Sequence, residues 1–460
     1  MMMTITTTGM GTGTESTSGR DGAARRLRGY LLAEVDGASL AVFRIAFGAV
    51  LFWEVVRYFA HDRVYRYYIE PHHFFSYISL LRPWAGSGMY WHFVLLGALS
   101  LLCAAGLFYR VAAPLLCAAF TYVFLLDRAQ YLNHFYLICL LSLLLAVAPA
   151  HRAFSLDRLL AARRRGSGSG ATLPGEMVPR WSVLALRVQI GIVYFYGGVA
   201  KLNPDWLRGE PMGMWLAQQA DEPLVGPWLA WPGTALVLSY AGLLVDLSAP
   251  LLLSFRRTLP IGAALCVAFH LANAWLFRIG VFPWLMIATL VLFVEPGWPR
   301  RLLRRPGPSP GPASADGRAR LALLYGYMLA QLVLPLRHWL YPGDVNWNEA
   351  GHRFSWRMKL RDKEVDELVF HMVDPRTGVR ERVELEDWLT EPQIEEMATR
   401  PDMLVDFGHL VADRWEAAAG VRPIVTVKVS VSLNGGPYRD LIDPALDLAG
   451  EPRGALGAAW

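Results

Sequence analysis

Hydrophobic and polar positions divide the chain into two regimes. Long apolar runs alternate with polar connections near 39–60, 89–108, 111–127, 131–150, 181–201, 233–255, 259–277, 281–296 and 320–340. Spanning a bilayer takes about twenty mainly apolar residues, so these runs predict about nine transmembrane helices. The connection at Arg278, Ile279 and Gly280 is the shortest of the series. From about residue 344 the pattern changes. Phe354–Leu360 and Glu367–Met372 are strand-like, and Pro375 to Gly378 is a turn signal. Residues 391–418 have helical periodicity. Ile424–Leu433 alternates, with Val425, Val427, Val429 and Val431 on one side, before Asn434 to Pro437 turns the chain. The predicted fold is mainly α: a polytopic membrane helical bundle with a C-terminal extracytoplasmic α+β domain. The expected divisions are a disordered cytoplasmic segment over 1–38, the bundle over 39–340 and the α+β domain over 341–460.

Composition agrees with a membrane protein. The 460 residues are 54% hydrophobic and only 18% charged, against about a quarter charged in soluble domains. The 17 Trp and 18 Tyr suit rings that settle at the headgroup level. A net charge of +5 raises nucleic acid as a partner, but the arginines sit in short clusters between apolar runs, as orientation signals do. Arg25, Arg26 and Arg28, then Arg110, the 152–180 loop, Arg256 and Arg257, and the 300–320 loop carry that excess. A cytoplasmic N-terminus followed by nine crossings puts all five on the cytoplasmic side. Segments 61–88, 202–232 and 341–460 are then extracytoplasmic. The first of these, rich in Tyr, Phe and His, is expected as an interfacial amphipathic helix. Gly166–Gly170 and Pro306–Pro312 read as cytoplasmic linkers. Residues 1–20 lack an apolar core, so no cleavable signal peptide is expected. Cys103, Cys117, Cys139 and Cys266 all lie in apolar runs without metal-ligand spacing and are expected as buried thiols.

Ionisable groups within membrane spans are costly, so each is a functional candidate. Lys201 closes the fifth span. Desolvation there favours the neutral amine, which can act as a base. The competing reading is a lysine whose head snorkels to the interface. Gly197 and Gly198 allow close helix packing or close ligand approach beside it. Asn133 and His134 near the outer end of the fourth span, and His270 with Asn273 in the seventh, are further candidates. Each alone is more often a helix–helix hydrogen bond. Arg44, Glu54, Arg57, Arg187 and Asp246 are also intramembrane and are expected to form internal ion pairs. No Walker loop, dinucleotide glycine fingerprint, HExxH or CxxC motif is present.

At these residues the sequence resembles the vitamin K-dependent γ-glutamyl carboxylase family, including its bacterial homologues. The longest matching stretch is RVQIGIVYFYGGVAKLNPDWLRGEPM over Arg187–Met212. Others are NHFYL from Asn133 with HRAFSLD from His151, FHLAN from Phe269 with IGVFP from Ile279, FSWRM from Phe354, and DLIDP from Asp440. The resemblance implies that Lys201 deprotonates reduced vitamin K (menaquinol or phylloquinol). Oxygen then converts the quinol to its epoxide, while a strong base formed on the way removes a γ-proton from protein glutamate and CO2 adds. Asn133 and His134 would bind the quinol oxygens, with His134 also catalytic. His270, Asn273 and Tyr196 would complete the quinol site. The partners implied are a Glu-containing peptide or protein and membrane lipid, with no nucleic acid and no metal. Two departures stand out: animal members run well beyond the point matching residue 446, and no cysteine here lies outside the membrane runs. The expected function is therefore quinol-dependent glutamate carboxylation. Quinol epoxidation without carboxylation, or non-catalytic binding of quinone or lipid, are the alternatives.

Overall fold

The computed structural model describes residues 15–165, 175–223, 225–277, 279–308 and 317–453. The linker expected at Gly166–Gly170, the part of the second linker from residue 309 onward, and Arg278 lie outside the described residues. All nine apolar runs are helical: α1 (Ala38–Ala60), α2 (Gly88–Ala105), α3 (Tyr109–Leu126), α4 (Asn133–Val147), α5 (Arg180–Ala200), α6 (Pro232–Ser254), α7 (Leu259–Phe277), α8 (Phe282–Thr289, continued as a 3-10 turn to Leu292) and α9 (Arg318–Val333). Seven of these segments are long and apolar enough to cross a membrane, whereas Asn133–Val147 and Phe282–Leu292 are shorter. The chain is an integral membrane protein.

The helices pack mainly in chain order, each on the next, and α8 returns to α1 so that the series closes on itself. Helix α5 is the most enclosed, with 67% of its apolar window buried, against 17% for α7. The central post and the lipid-facing wall are thereby distinguished. At the end of α2, Gly106 adopts a left-handed conformation at φ 62°, and a Cβ there would come within 2.7 Å of the Arg44 guanidinium. Only glycine fits. Arg44 is not in an ion pair among the described residues. It donates to the carbonyls of Ala150 at 2.7 Å, Phe154 at 2.6 Å and Ala104 at 3.2 Å. Arg187 likewise donates to Leu292 and Val294 carbonyls. Chain ends and helix ends leave carbonyls without partners, and a guanidinium satisfies them. Glu54 with Arg57 is a true pair, at 2.6 Å.

Three expectations are corrected. Within the segment expected as disordered, a helix covers Glu15–Leu32 and buries Leu31 against Trp181 and Leu321. Strand β1 (Glu34–Asp36) then pairs with β2 (Met177–Pro179). Within 61–87 only Arg63–Tyr68 is helical, because the backbone of the rest bonds neighbouring elements instead, as where Tyr77 N–H donates to the Leu125 carbonyl at the end of α3. Phe354–Leu360 is not a strand. Phe354, Trp356 and Lys359 all have positive φ, a conformation non-glycine residues hold only when packing over-determines it. Trp356 supplies that packing, fully buried and stacked 4.9 Å from Tyr136 of α4.

The outer domain is a four-stranded antiparallel sheet in the order β4 (Arg380–Val383), β3 (Lys363–Val373), β5 (Ile424–Leu433), β6 (Arg439–Asp440). The alternating valines 425, 427, 429 and 431 are all buried, facing α11 (Pro401–Ala419). The helical run at 391–418 is broken by Arg400-Pro401 into α10 (Glu391–Ala398) and α11, since a proline has no N–H for the preceding turn. The domain is bolted to the bundle. Gln393 donates to Asp127 and to the His73 carbonyl at 2.8 Å each. Arg128 pairs with Asp402 and Asp406, and Arg353 with Asp402 at 2.5 Å.

A buried charge cluster backs this joint. Glu349 lies 3.1 Å from Lys363, 3.3 Å from Arg361 and 3.8 Å from Arg400. Burial by itself would raise its carboxyl, but Arg361, Lys363 and the other cations outweigh that and hold it well below the usual carboxylate range. Asp402 is likewise lowered, by Arg353 and Arg128 against the effect of burial. Glu349→Gln should therefore cost about 3–5 kcal/mol, because it strands buried cations without their shared partner. Both depressed carboxylates favour the folded state above their ordinary values of 4.5 and 3.8. Their contribution drains away as pH falls through the lower folded values. Melting curves between neutral pH and pH 3 should show the wild type losing stability below about 4.5, and Glu349→Gln losing less. Orientation is checked separately: a cysteine introduced at the exposed Val379 should react with an impermeant maleimide in intact cells.

Candidate functional site

Lys201 caps the C-terminus of α5, and its Nζ lies 2.5 Å from Asp246 Oδ2. Asp246 sits about four turns into α6, so the pair is held within the bundle and not at its rim. Both side chains are buried, with 7% and 5% of their surface exposed. The ammonium also donates to the Gly197 carbonyl at 3.3 Å and faces the Trp206 ring at 5.3 Å. Backbone approach makes this contact possible. A Cβ on Gly198 would stand 2.6 Å from the Leu247 side chain and 3.0 Å from its backbone nitrogen. On Gly197 it would come to 3.2 Å from Asp246. The glycine pair thus serves close helix packing, and that packing sets the distance between the ammonium and the carboxylate.

A cavity of about 220 Å³ opens beside the pair. Helix α4 contributes Asn133 and His134 to it, α6 contributes Gly242 and Asp246, and α7 contributes Phe269, Asn273 and Phe277. Phe282 of α8 closes one side, and Met358 and Lys359 roof it from the outer domain. The donor set is lopsided, with amine, carboxylate, imidazole and amides on some walls and aromatic or thioether surface on the rest. That suits an amphipathic aromatic ring bearing oxygens, in line with the usual build of small-molecule sites. Helix α7, which lines the cavity with Phe269, Asn273 and Phe277, buries only Gly262, Cys266 and His270 and leaves most of its other face exposed.

Asn133, His134, Lys201 and Asn273 are thus brought together from three helices. His134 makes no hydrogen bond among the described residues and lies against Phe282 at 5.7 Å. Asn133 accepts from the Tyr131 hydroxyl at 3.0 Å, and Asn273 donates to the Phe269 carbonyl at 2.8 Å. His270 stands one layer back. Its Nε2 bonds the Tyr194 hydroxyl at 2.7 Å, and its ring meets Phe282 edge-on at 5.7 Å. Tyr196 is outside the cavity, its hydroxyl donating to the Leu332 carbonyl of α9. Asp246 was visible in the sequence as an intramembrane acid, but nothing there named its partner. Lys359 went unnoticed. It forms no ion pair among the described residues and instead faces the rings of Trp215 and Phe277 at 5.4 and 5.1 Å. Burial lowers its ammonium below the ordinary 10.5, against a pull the other way from Asp362.

A second cavity, of about 350 Å³, lies between the bundle and α10. It shares Leu132, His134 and Ile279 with the first. Its other walls mix apolar surface with charged groups of both signs, Arg57 and Arg63 facing Glu54, Glu395 and Glu396. Arg63 makes no ion pair among the described residues, and its guanidinium sits 6.0 Å from the Tyr58 ring. His134 is therefore the polar side chain common to the two chambers.

Comparison with known proteins agrees with this two-part layout. Residues 32–298 match the family described as HTTM domain. Residues 317–458 match the family described as vitamin K-dependent gamma-carboxylase, lumenal domain. No solved structure matches the chain.

The site geometry itself makes a stability prediction. Asp246→Ala leaves a buried ammonium unpaired and should cost about 3–5 kcal/mol. Gly198→Val forces α5 and α6 apart at an overpacking cost of about 1–3 kcal/mol. Thermal unfolding in detergent measures both. The double variant Lys201→Met with Asp246→Leu should recover most of the Asp246→Ala loss, because it removes both charges.

Proposed function

We propose, for a chain that belongs to the vitamin K-dependent gamma-carboxylase family, that the Lys201 cavity receives a reduced vitamin K-type quinol. On this reading the adjoining cavity receives the side chain of a protein glutamate, to be carboxylated. The observation that carries the reading is the meeting of the two chambers at His134, with the Lys201–Asp246 pair at the floor of one of them. When bound, the quinol supplies an acidic ring hydroxyl and the electrons that activate O2.

Everything else falls to the chain's own side chains. Lys201 Nζ takes the ring proton. In the resting pair its own proton faces Asp246 at 2.5 Å. Passing that proton to the carboxylate leaves a neutral amine toward the cavity, and neither group is then charged in a dry site. When the amine takes up the ring proton, the ammonium returns beside a protonated Asp246. Asn133 and His134 orient the ring oxygens by hydrogen bonds. Phe269, Phe277 and Phe282 exclude water that would quench a strong base. Arg63 offers its guanidinium to the incoming carboxylate, a group suited to bidentate contact, with Arg57 beside it already paired to Glu54.

The test is a single assay on purified protein in lipid, with reduced vitamin K or menaquinol, O2, labelled bicarbonate and a Glu peptide. Epoxide and labelled peptide should both form. Lys201→Ala and Lys201→Arg should each lose at least about 100-fold in both products, the second because guanidinium stays protonated. A small exogenous amine should restore part of the Lys201→Ala activity and none of the Lys201→Arg activity. Lys359→Met should retain epoxidation, which separates the two lysines of the cavity. His134→Ala should weaken quinol use by about 1–3 kcal/mol. Epoxide without labelled peptide would identify a quinol epoxidase instead. Quinone binding without either product would identify a non-catalytic binding protein.

A further inference from the structure

At the membrane face opposite the outer domain, the start of α3 and the loop after α4 enclose a third cavity, of about 450 Å³. Arg110, Arg152 and Arg158 line it together with His151. Their charge is only partly answered. Arg158 pairs with Glu176 at 3.2 Å. Arg152 donates to the Met177 carbonyl at 2.8 Å, and among the described residues the exposed Arg110 reaches only the His151 ring, at 3.4 Å. The one acid in the lining, Asp157, is engaged in accepting the backbone N–H groups of Phe108 and Tyr109 at 2.8 and 3.0 Å. Just behind the cavity, Arg44 is bonded to carbonyls alone. Burial, reinforced by the nearby Arg110, pushes His151 down to about 4. Its buried Nδ1 has no hydrogen-bond partner among the described residues.

The surroundings are apolar and face lipid. Phe108, Val111 and Leu115 are 66%, 61% and 50% exposed along one side of α3, running from the cavity toward the membrane interior. The helix Leu156–Arg165 beside it exposes Leu156 and Leu159 and ends in Arg163, Arg164 and Arg165. A cationic hollow at the headgroup level, continued by an exposed apolar stripe, matches an anion carrying acyl chains.

We infer that this cavity binds the phosphate of an anionic membrane phospholipid, with Arg110 and Arg152 on the phosphate and an acyl chain along Phe108, Val111 and Leu115. The site is remote from the Lys201 cavity and does not depend on what that cavity catalyses.

The test uses the full-length protein purified in a neutral detergent and titrated with phosphatidylglycerol, with phosphatidylcholine, or with inorganic phosphate. Native mass spectrometry reads retained lipid, and the thermal midpoint reads stabilisation. Phosphatidylglycerol should be retained in preference to phosphatidylcholine and should raise the midpoint. Arg110→Glu, at an exposed position, should fold normally and weaken phosphatidylglycerol retention by at least about fivefold. Arg164→Glu carries the same charge change outside the cavity and should leave retention close to the wild-type level. Equal retention of the two lipids would overturn the proposal. So would equal losses in the two variants, which would mean diffuse attraction to a basic surface. Stabilisation by inorganic phosphate matching that by phosphatidylglycerol would also overturn it, since the acyl chains would then contribute nothing.

Discussion

The contact between Lys201 and Asp246 organises the rest of the site. Two opposite charges 2.5 Å apart inside a membrane protein persist only if both helices are held where the charges meet. Gly197 and Gly198 remove the side chains that would keep α5 and α6 apart. Trp206, just after Lys201, donates its indole N–H to the Ser239 carbonyl of α6 at 2.8 Å and pins the same pair of helices from the outer side. With that distance fixed, the amine cannot wander to the interface as a snorkelling lysine would. It stays beside a cavity whose other polar groups arrive from α4 and α7.

The outer domain is part of this site and not a passive appendage. Its first segment descends onto the bundle, seats Trp356 among the membrane helices, and turns through left-handed residues so that Met358 and Lys359 form the cavity roof. The charged cluster around Glu349 and the Arg128, Arg353 and Asp402 group hold the joint from behind. Strain in the 354–359 segment is tolerable because aromatic burial and ion pairing over-determine its path. The same joint walls the second cavity with α10, so outer-domain packing shapes the polar chamber as well as the apolar one.

Two chambers meeting at one imidazole answer a physical difficulty. On the proposed reading, a ring that dissolves in lipid and a charged side chain that does not must be brought within reach without flooding the first with water. Helix α7 beside the first chamber is largely exposed, while the second chamber lies between bundle and domain. His134 separates them and is free to bond on either side.

The sequence by itself determined what local chemistry can determine. The nine apolar runs all proved helical, and seven of them have the length that a bilayer's thickness imposes. Strict alternation at Ile424–Leu433 identified a buried strand face, and Lys201, Asn133, His134 and Asn273 stood out as polar groups where polarity is costly. Other features were decided only by the tertiary structure, because they depend on which groups end up facing each other. Nothing local pairs Asp246 with Lys201, puts Arg44 on carbonyls, or turns Tyr196 away from the cavity toward Leu332. Phe354–Leu360 read as a strand by composition, yet its aromatics are drawn into the bundle, and that long-range burial outweighs local propensity. Lys359 was invisible for the same reason: a lysine in a loop becomes part of a site only when the fold carries that loop over a cavity.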